Sequence, residues 1–267
     1  MQEGGHRGMN KHFTFNHFAQ RALDIALASL MLAAAAPVML AVALLVKFDS
    51  PGPILYSQTR VGLNRRKGER RTSSIRESRP DRRQDSAFGK PFPIYKFRSM
   101  RTDAEKNGAA WCRVGDSRIT RLGRILRQTH LDELPQLFNI LTGDMSIVGP
   151  RPERPEFIVK LAQEIPHYHK RLHMKPGLTG LAQVRHRSDL DLRDVKKKVR
   201  YDLVYRRSAS LATNVKIILA TVPLAMGIPV EKTRQIFRFR ALNRFAQAFS
   251  GFSVIAAGLF SFWKKHS

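Results

Sequence analysis

The chain has 267 residues, 47 Lys and Arg against 21 Asp and Glu, a formal net charge of +26 and a single cysteine. That length suffices for one or two domains with a real core. The lone Cys112 excludes an internal disulfide framework, fits a reducing compartment and reads as a small filler residue, since nothing beside it argues for a thiol nucleophile. The surplus of base points to a polyanionic partner: nucleic acid, an anionic membrane face or phosphorylated substrates.

Residues 1–17 are polar and contain Gly4, Gly5 and Gly8, so they predict a flexible tail. Ala22 to Val46 is almost wholly apolar, with Asp24 its only charge. It exceeds the roughly 20 residues a helix needs to span a bilayer. Pro37 falls in the middle, where it removes an intrahelical hydrogen bond and bends the helix. Basic residues flank both ends, Arg7, Lys11 and Arg21 before and Lys47, Arg60 and Arg65 after, which assigns both ends to the cytoplasmic side. A bent, re-entrant helix over 18–48 satisfies both signals. A cleaved signal peptide and a buried core helix are the rival readings; the apolar run continues well past Ala33–Ala36, the only cleavage-like stretch.

Asp49-Ser50-Pro51-Gly52-Pro53 is turn chemistry, Ile54–Tyr56 a short strand, and Gln58–Gly62 the start of a loop. Residues 65–89 form a strongly basic insert with too few apolar residues to fold alone, suited to anionic lipid headgroups. The same charge would draw nucleic acid, but stacking aromatics are missing. Pro93–Met100 alternates as a half-buried strand, with Lys96 and Arg98 on one face; such a row could hold phosphates or be an exposed edge. Thr102–Ala110 reads as a short polar helix or loop. Asp116 or Ser117 is positioned to cap a helix whose apolar positions 119, 122, 125 and 126 recur at helical spacing, leaving Arg121, Arg124 and Arg127 on another, solvated face.

Leu131-Asp132-Glu133-Leu134-Pro135-Gln136 then places two adjacent carboxylates amid base. Proline is tolerated only in a helix's first turn, so a helix should begin near Leu131–Glu133. Its unpaired N–H groups would stabilise both charges, and a phosphorylated Asp equally. Capping and catalysis both remain open for Asp132 at this point. Met145–Val148 reads as a strand, followed by Gly149-Pro150-Arg151-Pro152, where two prolines stiffen the turn around a guanidinium suited to bidentate capture of phosphate, or to an ordinary surface turn. Pro155–Ile165 is helical; His167 and His169, two apart, do not share a helix face and make a poor metal pair. Lys175–Val184 is a turn leading into a strand, and Leu190–Tyr205 a charged helix with Asp189, Asp191 and Asp194 solvated. Leu211–Ile228 and the aromatic tail 231–267, which carries Lys264 and Lys265 after its last aromatic, suit the headgroup plane. There is no P-loop, no Gly-x-Gly-x-x-Gly after a strand and no zinc spacing.

In order, Val46–Pro53, Gln58–Gly62, Tyr95–Met100, Leu131–Gln136, Gly143–Pro152 and Lys175–Gly180 resemble the motifs of the bacterial sugar transferases, the monotopic phosphoglycosyl transferase family. Each motif alone is weak; the ordered set, over Arg21 to Met226, is specific. The resemblance implies a mixed α/β, mostly helical membrane monotopic fold, with a Pro37-bent re-entrant helix, interfacial amphipathic helices and a catalytic domain over 49–230 that faces the cytoplasm from the inner membrane. It implies transfer of a sugar 1-phosphate from a UDP-sugar to polyprenyl (undecaprenyl) phosphate, starting exopolysaccharide or glycoconjugate assembly. Asp132 would be the nucleophile, forming a phospho-aspartyl intermediate with release of UMP. Glu133 would serve the metal or proton side with Mg²⁺, both carboxylates being metal ligands, and Arg151, Lys96 and Arg98 would contact phosphate. Anionic lipid is an expected partner, nucleic acid is not, and a homo-oligomer is left open. Three departures stand out: Ala36-Pro37 replaces the family's frequent Ser-Pro, the insert is long, and the extra N-terminal spans of larger relatives are missing, which suggests the compact catalytic form. Two other readings compete: a basic membrane-surface scaffold indifferent to Asp132, and a metal-dependent phosphodiesterase that needs no lipid acceptor.

Overall fold

The computed structural model describes residues 7–64, 88–106, 108, 112, 115–186 and 191–237, with side chains from residue 17 onward. Most of the basic insert, Asp189, and the tail beyond residue 237 lie outside the described residues. The fold is mostly helical with two small sheets.

Helix α1 runs Arg7–Asp49 with Pro37 inside it, so it starts within the segment expected to be a flexible tail. Its Ala, Leu and Met content favours helix over any alternative. The stretch His17–Asp49 is long and apolar enough to cross a membrane, and only 11% of its most apolar window is buried. That exposure excludes the core-helix reading, because a core helix buries its apolar surface.

Both arms of α1 dock on the rest of the chain. In the first arm, Arg21 donates to the carbonyls of Ile140 (2.5 Å) and Leu141 (2.8 Å), while Asp24 accepts from Ser146 Oγ and the Ile147 N–H, both at 2.9 Å. Arg21 thereby meets carbonyls at the C-terminal end of helix α3 (Gln136–Thr142), where the Gly143 N–H also bonds the Ile140 carbonyl. In the second arm, Val42 and Val46 pack with Phe97 and Leu126. Arg98 Nη2 donates to the Val46 carbonyl (3.1 Å), the Ser50 carbonyl (2.5 Å) and Ser50 Oγ (3.0 Å), closing the C-terminal end of α1.

Strand β1 (Leu55–Val61) pairs antiparallel with β2 (Pro91–Phe97), placing Tyr56 opposite Lys96. The expected loop at Gln58–Gly62 is thus mostly strand, since β2 supplies ladder partners that local sequence cannot reveal. Helix α2 (Arg121–Gln128) is capped by Thr120, whose side chain accepts from the Gly123 N–H; Asp116, one of the two expected caps, instead pairs with Arg118. Strands β3 (Ser146–Val148) and β4 (Gly177–Thr179) run parallel. They approach so closely at Gly149 that a Cβ there would collide with the Lys175 carbonyl oxygen, and one at Gly177 with the Gly149 nitrogen.

Helices α4 (Pro155–Glu164), α5 (Leu181–Arg185), α6 (Leu192–Ser208), α7 (Leu211–Ala225) and α8 (Val230–Ile236) complete the domain. Asp191 is exposed, as expected, and also caps α6, while the half-buried Asp194 bonds His186 at 2.9 Å. On α7 one face is buried through Asn214, Ile217, Ala220 and Leu224, while Leu211, Val215, Leu219 and Val222 are exposed. One cluster, with Leu137, Ile140, Met145, Leu181 and Ile217 among its members, joins α1, α3, both sheets, α5 and α7; a second, with Ile158, Leu161, Tyr168 and Val199, sits under α4 and α6.

Candidate active site

The carboxylate pair occupies a single 3-10 turn, Leu131–Glu133, entered through His130 in the left-handed conformation (φ 59°). Pro135 ends the turn and opens α3 at Gln136, so the pair precedes the α-helix rather than occupying its first turn. Neither the turn nor α3 has a side-chain cap, which removes capping as the role of Asp132. A non-glycine residue with positive φ costs free energy, and such outliers cluster at functional sites.

The two carboxylates have opposite environments. Glu133 is buried and tied on both sides: Lys96 Nζ donates to Oε1 at 2.7 Å, and Arg151 donates to Oε1 at 2.6 Å and to Oε2 at 3.3 Å. Burial alone would raise its pKa, but the Arg151 and Lys96 charges and hydrogen bonds outweigh it and hold the group well below the usual carboxylate range. Asp132 is 5% exposed and accepts no hydrogen bond among the described residues. Its carboxyl is pushed up to about 6 by burial, with the neighbouring Glu133 charge adding, against opposition from Lys96, Arg127 and Arg151. Two adjacent titratable groups driven apart in this way mark a reactive site.

Asp132 lines a cavity of about 630 Å³, within the size range of small-molecule sites. Lys96, Arg127 and Arg151 line it with Asp132; Tyr56, Gln58, Glu105, Arg154 and Phe157 belong to the same wall. Burial lowers the Lys96 pKa despite the Glu133 charge beside it. A second cavity of about 670 Å³, near Gly62, Lys90 and Asp144, holds neither carboxylate.

Of the residues the sequence singled out, Asp132, Glu133, Lys96 and Arg151 come together. Arg98 also lines the cavity, with its Nη2 engaged at the end of α1 and its Nη1 buried without a partner among the described residues. It acts as a clamp on the helix. Pro37 lies in α1, away from the carboxylates in sequence and role.

Two arginines at the site escaped the sequence reading. Arg127, assigned to a solvated face, reaches the cavity; its spacing does not distinguish it from the exposed Arg121 and Arg124. Arg171 is buried and donates to the backbone carbonyl of Arg151 (2.9 Å) and to the Tyr168 hydroxyl (2.9 Å). It also ion-pairs with Asp202 on α6 at 2.8 Å. No local signal announces a residue that works through tertiary contacts.

Among the described residues no cluster of three or more His, Cys, Asp or Glu could form an all-protein metal cage. Two adjacent carboxylates at a phosphate site do fit Mg²⁺, which takes one or two carboxylates and completes its shell with water and substrate phosphate. Of the pair, Asp132 is the one with no competing cation bonded to it.

An acidic turn entered through a left-handed residue, a cation-lined cavity and a long apolar helix docked on the same domain thus occur together. The chain matches the family model described as bacterial sugar transferase over residues 15–70 and 76–227, and it belongs to that family. It is 40% identical over 205 residues, 77% of this chain, to the UDP-N-acetylgalactosamine-undecaprenyl-phosphate N-acetylgalactosaminephosphotransferase of Aeromonas hydrophila, of which it covers 43%. It is 40% identical over 206 residues, 76% of this chain, to the UDP-glucose:undecaprenyl-phosphate glucose-1-phosphate transferase of Caulobacter vibrioides, covering 68% of that protein. It is 42% identical over 209 residues, 76% of this chain, to the exopolysaccharide production protein PSS of Rhizobium leguminosarum bv. phaseoli, covering 92%. The chain thus spans less than half of the first relative and most of the third.

Proposed function

We propose that the chain transfers a sugar 1-phosphate from a UDP-sugar to undecaprenyl phosphate, with Asp132 as covalent nucleophile. The carrying observation is the contrast within the pair: Asp132 faces the cavity with its carboxylate unbonded, while Glu133 is pinned by Lys96 and Arg151.

In the first half-reaction a carboxylate oxygen of Asp132 attacks the sugar-bearing phosphorus. The bond from that phosphorus to the bridging oxygen breaks, and UMP leaves with the electron pair. In the second, an oxygen of the lipid phosphate attacks the same phosphorus, the acyl-phosphate bond breaks, and the Asp132 carboxylate is restored with a lipid-linked sugar diphosphate as product. Dividing the transfer in this way lets one pocket serve a soluble donor and then a lipid acceptor. A carboxylate approaching a diphosphate meets like charge, and Arg127, Arg151 and Lys96 supply the neutralising field. Mg²⁺, held through the carboxylate of Asp132, the one without a bonded cation, would add charge neutralisation on the phosphate oxygens.

The membrane arrangement follows from α1. Both arms of α1 dock on the rest of the chain, Arg21 and Asp24 before Pro37 and Val42 and Val46 after it, which supports a helix bent at Pro37 that enters and leaves by the cytoplasmic face. The exposed row on α7, and the exposed Ile125 with Arg121 and Arg124 on α2, suit an anionic membrane interface.

Incubating the full chain with a UDP-sugar and Mg²⁺ in the absence of lipid, then mapping peptides by mass spectrometry, should place a sugar phosphate on Asp132 with equimolar UMP in solution. Lipid-dependent turnover with no adduct, and full activity of Asp132→Asn, would rule the nucleophile out. The scaffold reading finds no support, since it gives no role to a cavity built around a bare carboxylate.

A further inference from the structure

Given the reaction proposed above, we infer that Asn139, which does not line the cavity, is a positioning residue for the transfer. Its side chain fixes the strand that carries Lys96 against the helix that follows Asp132 and Glu133.

Asn139 stands in the middle of α3, between Leu137-Phe138 and Ile140-Leu141, and is 1% exposed. Asn is a mediocre helix former, because its side chain competes for nearby backbone groups. A buried carboxamide also costs free energy unless its bonding groups are met. They are met across the interface with β2. Oδ1 accepts from the Tyr95 N–H at 3.1 Å, and Nδ2 donates to the Pro93 carbonyl at 2.7 Å. These partners fix the orientation of the carboxamide, since one can only donate and the other can only accept.

Such a pair of bonds is what a neighbouring strand supplies. β1 takes one edge of β2, and the Asn139 side chain takes the groups of Pro93 and Tyr95 on the other. The backbone is thereby pinned at Tyr95, and Lys96 leaves from the next Cα to meet Glu133 Oε1 at 2.7 Å. The acidic turn runs through Pro135 directly into α3. β2, α3 and the acidic turn thus form a closed ring, joined by Asn139 on one side and by the Lys96–Glu133 bond on the other. The Asn139 backbone carbonyl also accepts from the Met145 N–H at 3.0 Å, where the chain enters β3 and continues to Arg151. Both cations that hold Glu133 are therefore referred to the same helix.

Apolar packing alone does not fix this geometry. Phe92 and Ile94 of β2 share a core cluster with Leu137 and Ile140 of α3. Apolar burial is non-directional, so it holds the two elements together without setting how one slides along the other. The two Asn139 bonds are directional. A misplacement of about 1 Å at a reacting centre can cost on the order of 100-fold in rate.

The test uses the full chain in nanodiscs with UDP-glucose and undecaprenyl phosphate. Asn139→Leu keeps the side-chain shape and removes both bonds. Tyr95→Pro removes one of them from the strand side, on an edge that already carries Pro91 and Pro93. Each is made alone and together with Lys96→Met, and kcat, KM and the urea midpoint are measured. In the parent chain Asn139→Leu should lower kcat/KM by about 30-fold, chiefly through kcat, because Lys96 neutralises charge that forms in the transition state. With Lys96→Met already present, the same substitution should lower it by less than about threefold more. The shift in urea midpoint should be the same in both backgrounds. An equal loss of activity in both backgrounds would mean that Asn139 only supports the fold, and it overturns the assignment. Parent-like kcat/KM in Asn139→Leu or in Tyr95→Pro overturns it as well. Where Asn139→Leu does not fold, Tyr95→Pro with and without Lys96→Met decides. Failure of the unmodified chain to transfer overturns the reaction itself, an outcome distinguishable from a loss confined to the variants.

Discussion

Arg171 holds the backbone of Arg151: its Nη2 donates at 2.9 Å to the Arg151 carbonyl, and its Nε sits 2.8 Å from Asp202 Oδ2. The Pro-Arg-Pro turn that places a guanidinium on Glu133 is thus set by a buried ion pair reaching from α6. Removing one partner of such a pair leaves an uncompensated buried charge. Asp202→Ala is therefore expected to cost about 3–5 kcal/mol in chemical denaturation. Arg171→Lys keeps the charge but loses the fork, so it should raise the donor KM several-fold more than it lowers kcat, with little change in stability; a purely structural residue would show no such split.

Asp132→Asn should abolish transfer without harming the fold. Burial holds the carboxyl's pKa at about 6 in the folded chain, against the 3.8 of an exposed aspartate. Between those values the folded state holds the proton more tightly than the unfolded state, so this group's contribution to stability falls as pH rises through the interval and is then constant. The shift corresponds to about 3 kcal/mol. The variant should accordingly gain stability over the parent chain, by up to that amount, as the pH is raised from 4 to 7 in urea titrations. A variant less stable than the parent at pH 7 would contradict this account of the environment.

The same pKa governs catalysis, since only the ionised carboxylate attacks. Donor kcat/KM should climb with pH through about 6 and level off near neutrality, as read from initial rates of UMP release. Glu133, held far lower by Arg151 and Lys96, stays charged across this range and contributes no inflection.

Glu133→Gln removes the anion that holds Lys96 and Arg151 in place. Burial already lowers the Lys96 pKa, and loss of the adjacent charge should lower it further. The expected consequence is at least a 100-fold drop in kcat. Chelation with EDTA should separately abolish turnover, and added Mg²⁺ should restore it in the parent chain.

Membrane topology can be read with cysteine labelling in a Cys112→Ser background. His17→Cys and Asp49→Cys, at the two ends of the apolar stretch, should both react only from the cytoplasmic side of spheroplasts. Pro37→Ala restores the missing hydrogen-bond donor and straightens the helix, so one of the two positions should become reachable from outside.

The sequence alone determined what depends on neighbours along the chain. An apolar run of helix formers, a proline after two adjacent carboxylates, and a Pro-Arg-Pro turn each carry their physics within a few residues, and Asp132, Glu133 and Arg151 were legible for that reason. Lys96 was legible only as a cation on one face of a strand. Tertiary structure alone decided which cations do what. Arg98 and Lys96 look equivalent on one strand face, yet one closes a helix end and the other meets a carboxylate, because β2 crosses from the end of α1 to the acidic turn. Arg127 faces the cavity and Arg121 faces solvent on the same short helix. The opposite electrostatic fates of Asp132 and Glu133, adjacent in the chain and alike in chemistry, arise from burial and from charges brought in from distant segments, none of which local spacing records.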